Sequence, residues 1–150
     1  MTQVSVIGSG VEHEARSEEV GRLLAERGAT VVCGGLGEVM EAAARGAKDA
    51  GGTTVGILPG ERTEDANPWI DYAVATGTGH ARNLAVVASC EAAIAVGGRW
   101  GTAAEIAYAR VLGRPVVVLG DGPGVEGAGV EHAETPAEAV ELVFGLVGNR

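Results

Sequence analysis

The sequence predicts an α/β fold, specifically a Rossmann-like doubly wound parallel sheet with helices on both faces. Short runs rich in Val and Ile alternate with longer stretches whose apolar residues recur at helical spacing. The short runs are continuously apolar, as expected for strands that are covered on both faces. Most of them end in glycine, which is typical of tight strand-to-helix corners in such sheets.

Three strands and two helices are predicted in the first part of the chain. The strands are the runs "VSVI" (4–7), "TVVC" (30–33) and "TTVGIL" (53–58). One helix is predicted from about Glu12 to Arg27, with Val20, Leu23 and Leu24 on one face. The next carries, at helical spacing, Leu36, Val39, Met40, Ala43 and Ala47.

Four strands and three helices are predicted in the second part of the chain. The strands are "DYAVA" (71–75), "AAIAV" (92–96), "PVVVL" (115–119) and a short edge strand near Val130. One helix runs from about His80 to Ser89, and the next carries Ala103, Ile106, Ala107 and Val111 on one stripe. Thr135-Pro136-Ala137-Glu138 begins the last helix, with proline at its first position. No repeat or internal boundary is visible, so residues 1–150 are expected to form a single domain.

Composition excludes several classes of protein. Apolar residues make up 46% of the 150 residues, which argues against disorder, and no run approaches the roughly 20 residues of a membrane span. The net charge of −9 disfavours nucleic acid and anionic membranes as partners. Cys33 and Cys90 lie in no metal-binding motif, so we expect free buried thiols, a reducing cytoplasm, no metal site and no bound cofactor.

The strand ends are the expected place for a ligand, because ligands of parallel sheets bind outside the carboxyl ends of the strands. Those ends carry Gly8-Ser9-Gly10, Gly34-Gly35 and Gly97-Gly98. The helices that follow offer free N–H groups to a phosphate. The first corner lacks the third glycine of GxGxxG, and no GK[ST] sequence is present. The sequence therefore predicts a phosphate-binding site but not an ordinary dinucleotide or ATP site.

The segment "GGRWGTAAE" (97–105) has two interpretations. In the first, Thr102 and Glu105 form a capping box, in the same pattern as Thr135 and Glu138. In the second, the corner binds a phosphate beside a catalytic carboxylate. Its run of glycines favours the second interpretation, because a phosphate must approach the backbone closely whereas a cap needs no such run. The predicted ligand-binding residues here are Gly98, Arg99, Trp100, Gly101 and Thr102.

The segment "TGTGHARN" (76–83) places the cation of Arg82 at a helix start. The helix dipole disfavours a cation there unless an anion lies nearby. The alternative is a surface arginine paired with Glu91 or Asp71. His80 is better explained as a polar residue at the helix start than as a general base. For Trp100, a lid over a flat ligand and a core or dimer contact are equally plausible.

Together, "VVCGGLGEVMEAAARGAKDAGGTTVGILPG", "TGTGHARN" and "AVGGRWGTAAEIAYA" resemble the LONELY GUY (LOG) or lysine-decarboxylase-like superfamily over about residues 3–120. The resemblance is greatest to its short bacterial branch, which is similar to molybdenum-cofactor carrier proteins. LOG enzymes are phosphoribohydrolases that convert nucleoside 5′-monophosphates to free base and ribose 5-phosphate. Residues matching their signature PGGxGTxxE are Gly98, Gly101, Thr102 and Glu105.

The resemblance also implies roles for particular residues. Arg82 matches the catalytic arginine upstream of the signature, and Glu105 its catalytic carboxylate. Departures from the family pattern are Gly97 in place of proline, Arg99 in place of glycine and Asn83 in place of lysine. The GGxxGLM segment of the family is matched by Gly34, Gly35, Gly37 and Met40.

Three functions follow as alternatives. The main expectation is a phosphoribohydrolase, and the second is a carrier that binds a phosphorylated pterin without turnover. A nucleotide sensor is a third, weaker interpretation. The resemblance implies at least a homodimer joined through the helices at 80–90 and 100–112. Their exposed faces are predicted to be apolar, with Leu84, Val86, Val87, Ile106, Tyr108 and Val111.

Overall fold

Seven strands form one parallel sheet in the computed structural model, which describes residues 2–149. The strands are β1 (Gln3–Ser9), β2 (Thr30–Cys33), β3 (Thr54–Leu58), β4 (Tyr72–Ala75), β5 (Ala92–Gly97), β6 (Val116–Leu119) and β7 (Val130–Ala133). Their order is β4-β3-β2-β1-β5-β6-β7, and every neighbouring pair is parallel. The predicted Rossmann-like α/β fold is confirmed, including the edge strand near Val130.

Five helices cover the two faces of the sheet. They are α1 (Glu14–Glu26), α2 (Val39–Asp49), α3 (Arg82–Ala88), α4 (Trp100–Val111) and α5 (Pro136–Gly148). α1, α2 and α5 share one core with the sheet, and α3 and α4 share the other. α1 begins later than predicted because Val11–His13 form a 3-10 turn before it. Among the described residues, no helix is long and apolar enough to span a bilayer.

α1 and α2 pack so closely that glycine is required between them. A Cβ atom added at Gly46 of α2 would lie 1.9 Å from the carbonyl oxygen of Glu18 in α1. Likewise, a Cβ atom added at Gly21 of α1 would lie 2.0 Å from the carbonyl oxygen of Ala43 in α2. These contacts bring backbone against backbone, and a methyl group at either position would force the helices apart.

The last helix begins as the sequence predicts. The Thr135 hydroxyl accepts a hydrogen bond from the backbone N–H of Glu138 at 3.2 Å, and Pro136 occupies the first helical position. The Glu138 carboxylate accepts in turn from the N–H of Glu134 at 2.9 Å. Two N–H groups at the helix start are thereby satisfied, as in a capping box.

The predicted apolar faces of α3 and α4 are partly wrong. Ile106 and Ala109 point into the core, whereas Ala107 and Val111 are exposed, so the predicted stripe through Ala103, Ile106, Ala107 and Val111 is rotated. The inward row of α4 is Thr102, Glu105, Ile106 and Ala109. Pattern reasoning assumed that the inward row was apolar, but this row carries two polar residues.

The expected exposure of Val86, Val87 and Ile106 is also wrong, because these residues of α3 and α4 are buried in the core. Besides Trp100 at the start of α4, four large apolar side chains remain exposed on these helices or just after them, and we call the surface of these four the α3–α4 face. Its residues are Leu84, Tyr108, Val111 and Leu112.

The order of the strands fixes where a ligand can bind. β1 lies between β2 and β5, and Ser9 at its end pairs in register with Gly97 at the end of β5. From there the chain enters α1 on one face of the sheet and α4 on the other. This is the topological switch point at which ligands of open α/β sheets bind.

Candidate functional site

A pocket of about 200 Å³ lies at the switch point, on the side of α3 and α4. We call it the arginine pocket. Its lining includes Gly8 and Ser9 from β1, Gly34 after β2, Met40 from α2, His80, Arg82 and Asn83 around the start of α3, and Arg99, Gly101, Thr102 and Glu105. The pocket therefore joins the ends of β1 and β2 to the residues that follow Gly97-Gly98 after β5.

Arg82 is half-buried in this pocket. One of its guanidinium nitrogens donates a hydrogen bond to the side-chain oxygen of Asn83, while its Nε is buried without a partner in residues 2–149. A Cβ atom at Gly34 would lie 2.8 Å from another guanidinium nitrogen, so glycine is needed there for Arg82 to reach the sheet. Burial lowers the pKa of Arg82, although the group remains charged at any ordinary pH.

The alternative interpretation of Arg82 as a partner of Asp71 is wrong. The Asp71 carboxylate instead accepts from Lys48 Nζ at 2.9 Å, and it also binds the N–H of Thr54. Hydrogen bonds from Lys48 and Thr54 outweigh burial, and they lower the pKa of Asp71. Asp71 is thus not the partner of Arg82, whose Nε stays without a partner in residues 2–149.

Glu105 is the buried carboxyl of the pocket, with 8% of its surface exposed. It makes no hydrogen bond with any described residue. Burial raises its pKa from 4.5 to about 7, and the positive charge of Arg82 opposes part of that rise. A carboxyl group in this state exchanges its proton near neutral pH, and it is open to hydrogen bonding with a ligand or a water.

The capping-box interpretation of Thr102 and Glu105 is wrong. α4 begins at Trp100, Arg99 occupies the N-cap position, and no side chain caps the helix. Thr102 is therefore the third helical residue, and Glu105 lies a full turn deeper. The first three N–H groups of α4 have no intrahelical partner, and they present a partial positive charge to the pocket.

Gly98 allows the corner before α4 to close tightly. Its φ angle is +107°, and a Cβ atom there would lie 2.2 Å from the hydroxyl of Thr102. A larger residue would be strained and would also collide with Thr102. The glycine therefore allows the chain to fold back over the first turn of α4.

A second, larger cavity of about 410 Å³ adjoins the first, and we call it the acidic pocket. It is lined by Ser9 to His13, Glu38, Gly97, Gly98, Arg99 and Asp121. Ser9 and Arg99 line both pockets, which together form one cleft. The Glu38 carboxylate accepts a hydrogen bond from the N–H of Gly10 at 3.0 Å across this cleft.

Most of the predicted site residues line this cleft. Gly8, Ser9, Gly34, Arg82, Gly98, Arg99, Gly101, Thr102 and Glu105 do so. Gly35 lies behind it, where a Cβ atom would meet Leu58 at 2.8 Å. Trp100 is 89% exposed at the outer rim beside Arg99 and Pro123, so its interpretation as a core residue is wrong.

Sequence reasoning missed most of the acidic pocket. Asp121 carries a usable signal, because it follows the carboxyl end of β6. Glu38 carries none, since its partner Gly10 is 28 residues away in the chain. His13 packs edge-on against Gly97, where a Cβ atom would lie 2.2 Å from the ring.

Neither a metal site nor a reactive cysteine adds to the chemistry of the cleft in the described residues. No cluster of three or more His, Cys, Asp or Glu residues in the described part of the chain could hold a metal ion. Cys33 and Cys90 are buried free thiols, and burial raises their pKa values to about 11 and about 12. Neither thiol is a nucleophile at neutral pH in the folded chain.

The fold and the site define an α/β protein with a Rossmann-like sheet and a cleft lined by charged side chains at its switch point. The molybdenum cofactor binding protein of the phototrophic bacterium Rippkaea orientalis is similar in structure, with a TM-score of 0.90, 31% identity and coverage of 97% of both chains. The molybdenum cofactor carrier protein of Chlamydomonas reinhardtii has a TM-score of 0.88, 31% identity and coverage of 99% of both chains.

A protein of Archaeoglobus fulgidus with no assigned function is 45% identical over 143 residues, which are 93% of each chain. The model of the SLOG cluster4 family matches residues 1–143, and the chain belongs to that family. The predicted similarity to molybdenum-cofactor carriers is thereby confirmed.

Proposed function

We propose that the protein binds a phosphorylated pterin of the molybdenum-cofactor type as cargo, in the cleft between β1, β5 and α4. The observation that carries the proposal is the buried charge of the arginine pocket. The Nε of Arg82 is buried there without a partner, and the carboxyl of Glu105 makes no hydrogen bond with residues 2–149. A buried nitrogen without a partner is rare, and a bound ligand would satisfy it and would also hydrogen-bond with the carboxyl. The ligand named for the structural neighbours supports the pterin.

The phosphate of this ligand would bind at the start of α4. The free N–H groups of Trp100, Gly101 and Thr102 would donate to it, and Arg82 and Arg99 would balance its charge. The side chain of Arg99 makes no hydrogen bond or ion pair with residues 2–149 and is free to turn towards an anion. A crystal grown in sulfate or phosphate should show an anion within hydrogen-bond reach of N–H groups between Gly98 and Thr102.

A thermal-shift screen of phosphorylated pterins and nucleoside monophosphates tests the proposal. At a hundredfold excess over Kd, a ligand stabilises the native state by about 2.7 kcal/mol, roughly 5–10 °C for a chain of this size. Arg82→Gln should abolish the shift, whereas Arg22→Gln on the outer surface of α1 should retain it. A wild-type chain whose melting temperature responds to none of these ligands would contradict the proposal.

A second candidate function is hydrolysis of a nucleoside 5′-monophosphate, favoured by the pKa of Glu105. A carboxyl group with a pKa of about 7 suits a general base at neutral pH. Water would attack C1′ of the ribose as the N-glycosidic bond breaks. Glu105 would accept a proton from the water, and the base would leave with the bonding electrons. Arg82 would position the phosphoribose.

Product analysis separates the two functions. Free base and ribose 5-phosphate released from a monophosphate would establish turnover, and Glu105→Gln should then lower its rate by at least about a hundredfold. Tight pterin binding without any product would establish the carrier.

The α3–α4 face supports at least a homodimer. Leu84 and Tyr108 are each about two-fifths exposed and Val111 is 81% exposed, so large apolar side chains of this face meet solvent in the single chain. A stable interface buries roughly 1,200 Å² or more, and this face is the natural place for it. The net charge of −9 argues against nucleic acid as a partner, and the two free thiols suit a reducing cytoplasm.

A further inference from the structure

The two pockets of the cleft differ in charge. Arg82 lines only the arginine pocket, Glu12, Glu38 and Asp121 line only the acidic pocket, and Arg99 lies where the two meet. Ser9 and Arg99 border both, so one elongated ligand reaches from one pocket to the other. The same cleft holds the unpartnered carboxyl of Glu105, 8% exposed, whose hydrogen-bonding capacity only a ligand or water can use.

The charges orient such a ligand. A phosphate is attracted to the two arginines and the free N–H groups of α4, and it is repelled by three carboxylates. The other end of the ligand must therefore lie in the acidic pocket. Carboxylates only accept hydrogen bonds, so that end must present N–H or O–H donors.

Glu38 is the carboxylate with the most fixed position. Its φ and ψ angles are 56° and −123°, and it is the only non-glycine residue of the described chain with a positive φ. One carboxylate oxygen accepts from the Gly10 N–H, and the other has no partner in residues 2–149. Strained backbone of this kind persists at ligand-binding positions, where function requires the geometry.

A metal ion does not explain these carboxylates, because no three of the described His, Cys, Asp or Glu residues lie close enough to hold one. The carboxylates line the pocket from three separate segments, with Glu12 after β1, Glu38 before α2 and Asp121 after β6. Spaced acceptors of this kind suit the edge of a flat heterocycle rather than a point charge.

Building on the proposed binding of a phosphorylated heterocycle, we propose that Glu38 selects a 2-amino-4-oxo ring edge, the edge that pterins and guanine share. In that edge a ring N–H and an exocyclic NH₂ point the same way, and one carboxylate accepts from both. Adenine presents an acceptor nitrogen beside its amino group, which opposes the carboxylate. Glu38 is then a specificity-determining residue, with the phosphate held at the far end of the cleft.

Calorimetric titration of the whole chain with GMP, AMP and a pterin monophosphate tests the assignment. The wild type should bind GMP and the pterin at least about tenfold more tightly than AMP, because adenine places an acceptor nitrogen opposite the Glu38 carboxylate. Glu38→Gln and Glu38→Gly should each bring that ratio close to one. Glu131→Gln, which removes an exposed carboxylate outside the cleft, should leave the ratio unchanged.

Glu38→Gly also separates recognition from folding. Glycine adopts this backbone conformation without strain, so the variant should be at least as stable as the wild type while it loses selectivity. Equal binding of GMP and AMP by the wild type overturns the role of Glu38 but leaves the proposed function standing. A gain in affinity for inorganic phosphate and for all three probes in Glu38→Gly overturns it too, since the carboxylate would then merely obstruct an anion. Failure of every probe to bind overturns both proposals.

Discussion

Glu105→Gln should make the protein more stable at alkaline pH and leave it almost unchanged at acidic pH. Burial raises the pKa of Glu105 from 4.5 to about 7. Between these values the folded chain keeps a proton that the unfolded chain loses, so stability falls as pH rises through this window. Above pH 7 the full difference of about 3 kcal/mol opposes folding. Glutamine is neutral at every pH and removes this cost.

The size of the effect follows from the same numbers. At pH 8.5 the variant should gain about 3 kcal/mol, roughly 6–12 °C in melting temperature for a chain of 150 residues. At pH 5 the gain should be less than about 1 kcal/mol, because pH 5 lies only half a unit above 4.5, where the difference between the folded and unfolded forms has only begun to develop. Urea unfolding at the two pH values measures the difference directly, as a shift of roughly 1–3 M in midpoint at the higher pH.

Glu131→Gln is the matched control, because it removes one carboxylate from the exposed face of β7. It should show no comparable stabilisation at either pH. If Glu105→Gln were equally stable relative to the wild type at pH 5 and pH 8.5, the carboxyl would not be held protonated by burial, and its proposed role as a proton acceptor near neutral pH would fail.

Three further changes test the helix start, the interface and the packing. Thr135→Ala should cost roughly 1 kcal/mol by uncapping α5, with activity or binding per folded molecule unchanged, and an unaltered melting temperature would contradict the cap. Light scattering should give at least twice the chain mass of 15.0 kDa for the wild type, and Val111→Glu should give the monomer; a monomeric wild type at micromolar concentration would refute the interface. Gly46→Ala should cost about 2–4 kcal/mol in urea unfolding because its methyl would meet the Glu18 carbonyl at 1.9 Å. Gly145→Ala in α5, where a Cβ meets nothing within 4 Å, should be neutral or stabilising by up to about 1 kcal/mol, and equal effects at both glycines would refute the close packing of α1 on α2.

The fold could be predicted because its signals are local. The strand "AAIAV" is apolar throughout and therefore reads as a strand covered on both faces, and Thr135 with Pro136 marks a helix start by residue type alone. The orientation of α4 could not be predicted. Its inward row includes Glu105, and a buried carboxyl breaks the apolar pattern from which helix faces are inferred.

Part of the candidate site could likewise be predicted from the sequence, and part of it could not. Glycines at strand ends and the arginine that begins α3 are visible in sequence, and most of them line the cleft. The acidic pocket depends on contacts between distant segments, since Glu38 meets Gly10 only when α2 packs beside α1. The two alternatives for Thr102, cap residue or ligand contact, could be separated only by the structure, which starts α4 at Trp100.

The two cysteines provide reporters of how often the chain opens. Alkylating reagents attack the thiolate, and burial holds the pKa values of Cys33 and Cys90 at about 11 and about 12. Labelling at neutral pH therefore proceeds through molecules that have transiently opened. Cys90 belongs to the core beneath α3 and α4, whereas Cys33 ends β2 next to Gly34 of the arginine pocket. A ligand that closes the cleft should slow the modification of both thiols, and the ratio of the two rates distinguishes opening of the cleft alone from unfolding of the whole chain.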